Sequence, residues 1–257
     1  MKMFIQFFRF FSRQGLTLCI FFAANPAVAT WSIIAVDNRT GETGIAGASC
    51  YPGSSVIAGV VPGYGVVTAQ GLTYLPGRDL AMKLLAREET ASSILKTITS
   101  SVVDSEWFYK RWSRQYAVAA VDPNTPDIAT YTGIFTAPNR GELKGVNFSV
   151  QGNILRKGVL KNAFNRFHEV NKRSKSLAPA LLAALVAGGT AGGDRRCSEQ
   201  QAALSAFLIV AKASDPLSQP SVNLIAPDQM KGGANPINAL VVMFKQHQRS
   251  ELIRSVK

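Results

Sequence analysis

Apolar positions along the chain change period several times. Over residues 30–37 (TWSIIAVD) they alternate around Trp31, Ile33 and Ala35, the period-2 signature of a strand. A turn at 38–41 and a small-residue run at 44–49 complete a β-hairpin pattern. Two more strands are predicted over 54–61 and 65–69, divided by Pro62-Gly63-Tyr64-Gly65. The period then becomes helical. Residues 76–87 place Leu80, Leu84 and Leu85 on one face with Pro76 in the first turn, and 90–101 do the same with Ile94, Leu95 and Ile98. Residues 107–112 read as short helical or irregular. Strands return over 116–122, 128–131 and 145–150, and helices over 156–168 and 177–187. A glycine-rich loop is predicted over 188–196, strands over 203–211 and 222–226, and a closing amphipathic helix over 236–248. Hairpins followed by helices, twice over and without an internal repeat, predict one layered α+β domain with antiparallel sheets and helices outside.

Residues 1–29 have a different pattern. Lys2, Arg9 and Arg13 precede an apolar run over 16–24 that is broken only by Thr17. Asn25-Pro26 and the small residues Ala27 and Ala29 follow. This is the layout of a secretory signal peptide cut between Ala29 and Thr30, and the run is shorter than the ~20 residues of a membrane-spanning helix. The alternative is an uncleaved N-terminal anchor using the aromatic stretch from Phe4 to Phe11, which Arg9 interrupts. The expected location is the periplasm or the medium, with residues 30–257 as a single domain and no anchor after processing.

Charge adds one feature. The chain has 28 basic and 16 acidic residues. The three leader cations removed, 25 basic residues face 16 acids, concentrated at 110–114, 156–173 and 195–196. A basic surface suits an anionic partner, but no nucleic-acid motif or aromatic-basic alternation accompanies it, which favours a simply solvated face. Of three cysteines, Cys19 leaves with the leader, and Cys50 and Cys197 are an even pair in an exported chain, a natural disulfide candidate.

Familiar hydrolase constellations are missing: there is no Gly-x-Ser-x-Gly elbow, no His-Glu-x-x-His and no phosphate loop. The two histidines, His168 and His247, lie in amphipathic helical stretches, and no metal or cofactor is called for. What stands out is Thr30. Cleavage before it would leave a hydroxyl and a free amine on adjacent carbons, a self-contained nucleophile and base. Three glycine-containing stretches could converge on it: Ala69-Gln70-Gly71, residues 149–155 (SVQGNIL) and residues 191–196 (AGGDRR). Gln70, Gln151, Gly152 and Arg195 are candidate ligand-binding residues, with Asn153 or the Gly152 backbone as oxyanion donors and Asp194 as an orienting group. Asp194 and Arg195 bonded to each other as turn architecture is the competing reading.

These stretches, with TWSIIAVD, TGETGIAGAS, TAQ, YTG and the NP-containing last helix, resemble the bacterial domain of unknown function numbered 1028, over nearly all of residues 30–248. The resemblance implies the four-layer αββα fold of N-terminal nucleophile hydrolases, and Thr30 matches the threonine with which members begin. The chain departs from the family pattern at Cys197-Ser198-Glu199-Gln200-Gln201-Ala202 and at residues 223–228; if the latter segment helps bind a ligand in relatives, the ligand of this chain would differ. The expectation is an exported amidohydrolase with Thr30 as nucleophile, its substrate a small molecule or peptide undetermined by sequence. The alternative is a non-catalytic binding module on the same fold. Pockets shared by Thr30 with Asn153 or Gly152, and with Asp194 or Arg195, would favour the enzyme; a Thr30 that is buried, or more than ~12 Å from all four with no water path, would defeat the enzyme reading and put the binding module first. The pattern does not decide between a monomer and a homo-oligomer.

Overall fold

The computed structural model describes residues 30–122, 125 and 127–255. The leader and its cleavage junction on the Ala29 side lie outside them. Among the described residues ten strands form two sheets, every pair antiparallel. The larger contains β1 (Trp31–Asp37), β2 (Glu42–Ser49), β7 (Gly141–Lys144), β8 (Phe148–Gly152), β9 (Ser205–Ala211) and β10 (Val222–Ile225), in the order β10-β9-β2-β1-β8-β7. The smaller runs β3-β4-β5-β6, from β3 (Ala58–Val61), β4 (Gly65–Gly71), β5 (Arg114–Ala120) and β6 (Asp127–Thr132). Six α-helices accompany them among the described residues: α1 (Leu75–Leu85), α2 (Ala91–Ile98), α3 (Phe108–Arg111), α4 (Val159–Asn171), α5 (Leu177–Thr190) and α6 (Pro236–Ser255).

Alternation along β1 sets the architecture. Trp31, Ile33 and Ala35 point away from the smaller sheet and pack with Phe167 of α4, Leu181 and Leu185 of α5, and Leu240 and Phe244 of α6. Ile34 and Val36 point the other way. They meet Val66 of β4 and Ala117 and Ala119 of β5, so the inner faces of the two sheets close on each other. On the far side of the smaller sheet, Val67, Ala69, Tyr116 and Val118 pack against Leu84 and Leu85 of α1 and Ile94 and Ile98 of α2. Period-2 sequence thus feeds two apolar interfaces from one strand.

The observed elements depart from the sequence pattern in several places. Residues 188–190 are the last turn of α5 and not loop: an added Cβ at Gly188 would lie 2.6 Å from Trp31 Nε1, and one at Gly189 2.7 Å from Ile237 Cδ1. Glycine is there for close helix packing. β7 carried no signal because GELK is a half-exposed edge strand without apolar alternation. Ser54–Ile57 form a 3-10 turn ahead of β3, and α6 continues to Ser255 on polar residues. The 110–114 basic cluster is also not wholly a solvated face, since Arg114 is buried and pairs with Asp104 at 3.0 Å and with Glu106 at 2.5 Å.

A disulfide joins Cys50 to Cys197, with Cα atoms 5.7 Å apart across 147 positions of sequence. Glu42, at the start of β2, accepts the Leu177 backbone N–H at 2.7 Å and so caps the otherwise acid-free N-terminus of α5.

Candidate functional site

Thr30 heads β1, in the middle of the larger sheet, and is fully buried in the intact chain. Its nitrogen there is a peptide amide and has no basic lone pair. Its carbonyl accepts the Asn153 backbone N–H at 3.2 Å and the Gln70 side-chain amide at 3.5 Å. Asn153 reaches this place because β8 pairs with β1, Gly152 opposite Trp31 and Gln151 opposite Ser32. Gly152 allows the close approach: a Cβ on it would meet Thr30 O at 2.8 Å and Leu155 Cδ1 at 2.5 Å.

At this end of the space between the sheets the side chains are polar. Ser32 Oγ donates to Gln70 Oε1 at 2.8 Å and accepts from Gln151 Nε2 at 2.8 Å. Gln151 Oε1 accepts from Ser149 Oγ at 2.9 Å. Gln115 Nε2 donates to the Gly152 and Gly141 carbonyls at 3.1 and 3.2 Å and to Thr132 Oγ1 at 2.9 Å, while Gln115 Oε1 accepts from Gln70 Nε2 at 2.9 Å and Asn153 Nδ2 at 3.3 Å. Ser32, Gln70, Gln115, Ser149, Gln151 and Asn153 are all buried. Carbonyl oxygens only accept, so the two backbone partners fix which end of the Gln115 amide is which. That in turn points Asn153 Nδ2 at Gln115 and leaves Asn153 Oδ1 buried with no donor. These six side chains do not titrate near neutrality; Glu142, which takes the Thr132 hydroxyl hydrogen bond, is the acid at the edge of the layer.

Asp194 and Arg195 go elsewhere. Segment 193–195 pairs with 154–156, through Arg195 N to Ile154 O and Arg156 N to Gly193 O, both 3.0 Å. The buried Asp194 carboxylate turns toward the Cys50 backbone N–H at 2.8 Å and toward Arg196, with Nη2 at 2.8 Å. Its partner is therefore Arg196, and the Asp194–Arg195 bond does not form. Arg195 is exposed and lines a cleft of about 480 Å³ with Asn139, Leu155, Arg156, Lys157 and Glu199, which Thr30, Asn153 and Asp194 do not line. Of the predicted site residues, Thr30, Gln70, Gln151, Gly152 and Asn153 come together. Gln115 and Ser32, which tie them to each other, were not singled out by sequence.

The comparisons agree with the resemblance. Residues 30–240, most of the chain and all of the elements just described up to the start of α6, match a family of unknown function, DUF1028. The chain belongs to that family. A solved DUF1028 structure, protein SPO2555 from Silicibacter pomeroyi, superposes with a TM-score of 0.66 at 25% identity, covering 85% of each chain. Comparison with curated proteins finds no match. The DUF1028 match begins at Thr30, the residue around which the buried polar layer is built. Among the described residues no group of three or more His, Cys, Asp or Glu could hold a metal ion, and no helix is long and apolar enough to cross a membrane.

Proposed function

We propose that this DUF1028 chain is the precursor of an exported amide hydrolase of the N-terminal nucleophile type, on a four-layer αββα fold, activated by removal of residues 1–29. The observation that carries the reading is the orphaned Asn153 Oδ1. It is a fully buried acceptor without a donor, on the residue whose backbone already holds the Thr30 carbonyl. A buried acceptor left without a partner costs on the order of 1–3 kcal/mol. Cleavage between Ala29 and Thr30 would turn the Thr30 amide into an α-amine with additional N–H groups, one of which would donate to Asn153 Oδ1. In its neutral form that amine, with an ordinary pKa near 8, takes the Thr30 hydroxyl proton as Oγ1 adds to an amide carbonyl. It then returns the proton to the departing nitrogen, and water hydrolyses the resulting ester. Asn153 thus holds the base, and oxyanion donors come from backbone N–H groups of the same end of the sheet.

Burial of Thr30 fits a latent precursor, whose amide nitrogen and enclosed hydroxyl do no chemistry. It also favours the second reading, a non-catalytic binding module that uses the Arg195 cleft in the periplasm or medium. Intact mass and N-terminal sequencing of the exported protein, followed by an electrophilic β-lactone probe, separate the two. The hydrolase reading expects a Thr-Trp-Ser start and an adduct on Thr30 that Thr30→Ala lacks. A Thr-Trp-Ser start without an adduct leaves the binding module, and any other start overturns the hydrolase.

A further inference from the structure

The cleft beside Arg195 is rich in positive charge. It is continuous with a second hollow of about 590 Å³ that shares Asn139, Leu155, Arg156 and Lys157 and runs across the start of α4 to Lys161. Four cations therefore border one concave surface. Lys157, Lys161 and Arg195 are exposed, and their side chains form no hydrogen bond or ion pair with another described residue. Arg156 is held in place. Its Nη2 donates to the Cys197 carbonyl at 3.0 Å, its Nη1 lies 3.4 Å from a mostly exposed Glu199 carboxylate, and its Nε is buried without a partner. The arginine stem lies over Gly192, where a Cβ would sit 2.4 Å from Arg156 Cδ, so the loop itself is shaped to seat it. Two carboxylates face this group. Glu199 is the loose partner of Arg156, and Glu142 is already engaged by Thr132.

α4 adds to the same field. It begins at Val159 with Gly158 in the left-handed region, with no side-chain cap and no acid in its first turn; the Val159 N–H is taken by the Arg156 carbonyl at 3.4 Å, and Gly158, Val159 and Leu160 line the second hollow, so the positive end of the helix dipole lies beside it. Four cations facing two carboxylates leave an excess of like charge that repels, and a bound anion relieves that repulsion. Contrast the adjacent Arg196, whose charge is met by a buried carboxylate. The volumes fall in the range of about 300–1,000 Å³ typical of small-ligand sites.

The geometry points to a binding site for a small anion with two or more negative charges on phosphate or carboxylate groups, seated between Arg156, Lys157, Lys161 and Arg195. The site stands whether or not Thr30 reacts, so it goes beyond the hydrolase reading. Arg195 and Arg156 supply planar forks for paired oxygens, and the two lysines supply point charges.

Isothermal titration of the full protein at low ionic strength tests it, with pyrophosphate, citrate and acetate as probes. Pyrophosphate or citrate should bind one to one and at least about tenfold more tightly than acetate. Arg195→Ala and Lys157→Ala should each weaken that binding about tenfold, the loss of one charge-assisted contact, without lowering Tm. Lys245→Ala, an exposed cation on α6, should leave it unchanged. Tight binding of pyrophosphate alone assigns phosphate chemistry, of citrate alone carboxylate chemistry, and of both a site that counts charge. Binding no tighter than acetate, or weakened equally by Arg195→Ala and Lys245→Ala, overturns the site.

Discussion

Segment 152–156 separates two regions built on opposite principles. On its Thr30 side, six buried neutral side chains satisfy one another across two sheets, and the one unmet atom is an acceptor. On its Arg195 side, four cations border open hollows and the unmet groups are donors. Leu155 stands between, its side chain lining the cleft while lying against Gly152 next to the Thr30 carbonyl. The difference shows what each region can tolerate. A closed layer in low dielectric must match every donor to an acceptor. An open cleft keeps unmatched charge in water and waits for a partner.

The disulfide is the change expected to disturb both regions most, since Asp194 holds the Cys50 N–H and Arg156 holds the Cys197 carbonyl. A Cys50→Ala, Cys197→Ala double variant should lose about 4 kcal/mol of unfolding free energy in urea, from chain entropy over so long a loop. Unchanged stability would mean that the rest of the fold already constrains the loop. Gln115→Leu strikes the closed layer alone. It strands the Gln70 and Asn153 amides and two backbone carbonyls, and should cost about 3 kcal/mol by the same measurement. Adjacent arginines then sharpen the contrast between closed and open. Arg196→Ala leaves the buried Asp194 carboxylate with backbone donors only and should cost about 2 kcal/mol, Arg196 being partly exposed. Arg195→Ala should stay within about 0.5 kcal/mol, as for a surface substitution. Equal costs would dissolve the distinction between the two sides.

The smallest expected effect is pH-dependent. Burial pushes the Glu42 carboxyl up from its ordinary value of 4.5, against the pull of the Leu177 N–H bond and of Lys212. The folded chain then holds this proton more tightly than the unfolded chain. The contribution to stability is complete below the ordinary value and is lost as pH rises through the folded value. Glu42→Gln keeps the acceptor for Leu177 N–H and removes the charge, so its Tm should fall less than that of the parent chain between the acid range and neutrality. Parallel Tm curves would show that Glu42 is not the group responsible.

Much of this was readable from residue pattern, and the failures have physical causes. Alternation in TWSIIAVD marked β1 and which of its residues face helices. The strand beginning at Tyr116 in the sequence pattern in fact begins at Arg114, because two polar residues at a strand end look like loop. Yet Gln115 falls in register with Ala117 and Ala119, so period 2 alone places it between the sheets beside Gln70 and Ser32. Its partners were beyond reach, since contacts such as Gln115 to Gly152 span 37 positions and depend on how one sheet settles on the other. That Asp194 pairs with Arg196 and not with the neighbouring Arg195 is a choice that backbone direction decides and composition does not.

The Cys50–Cys197 bridge has a mechanical consequence. A molecule pulled from its two ends can pay out chain only outside the ring, through β1 and β2 on one side and through β9, β10 and α6 on the other. The 147 positions inside, about 500 Å of extended contour, stay out of the load path. The whole smaller sheet lies within that span, with β8 and Asn153. Force applied to the termini would therefore pull β1 away from Asn153 while the ring carrying Asn153 stays closed, and Thr30 would be among the first residues to leave.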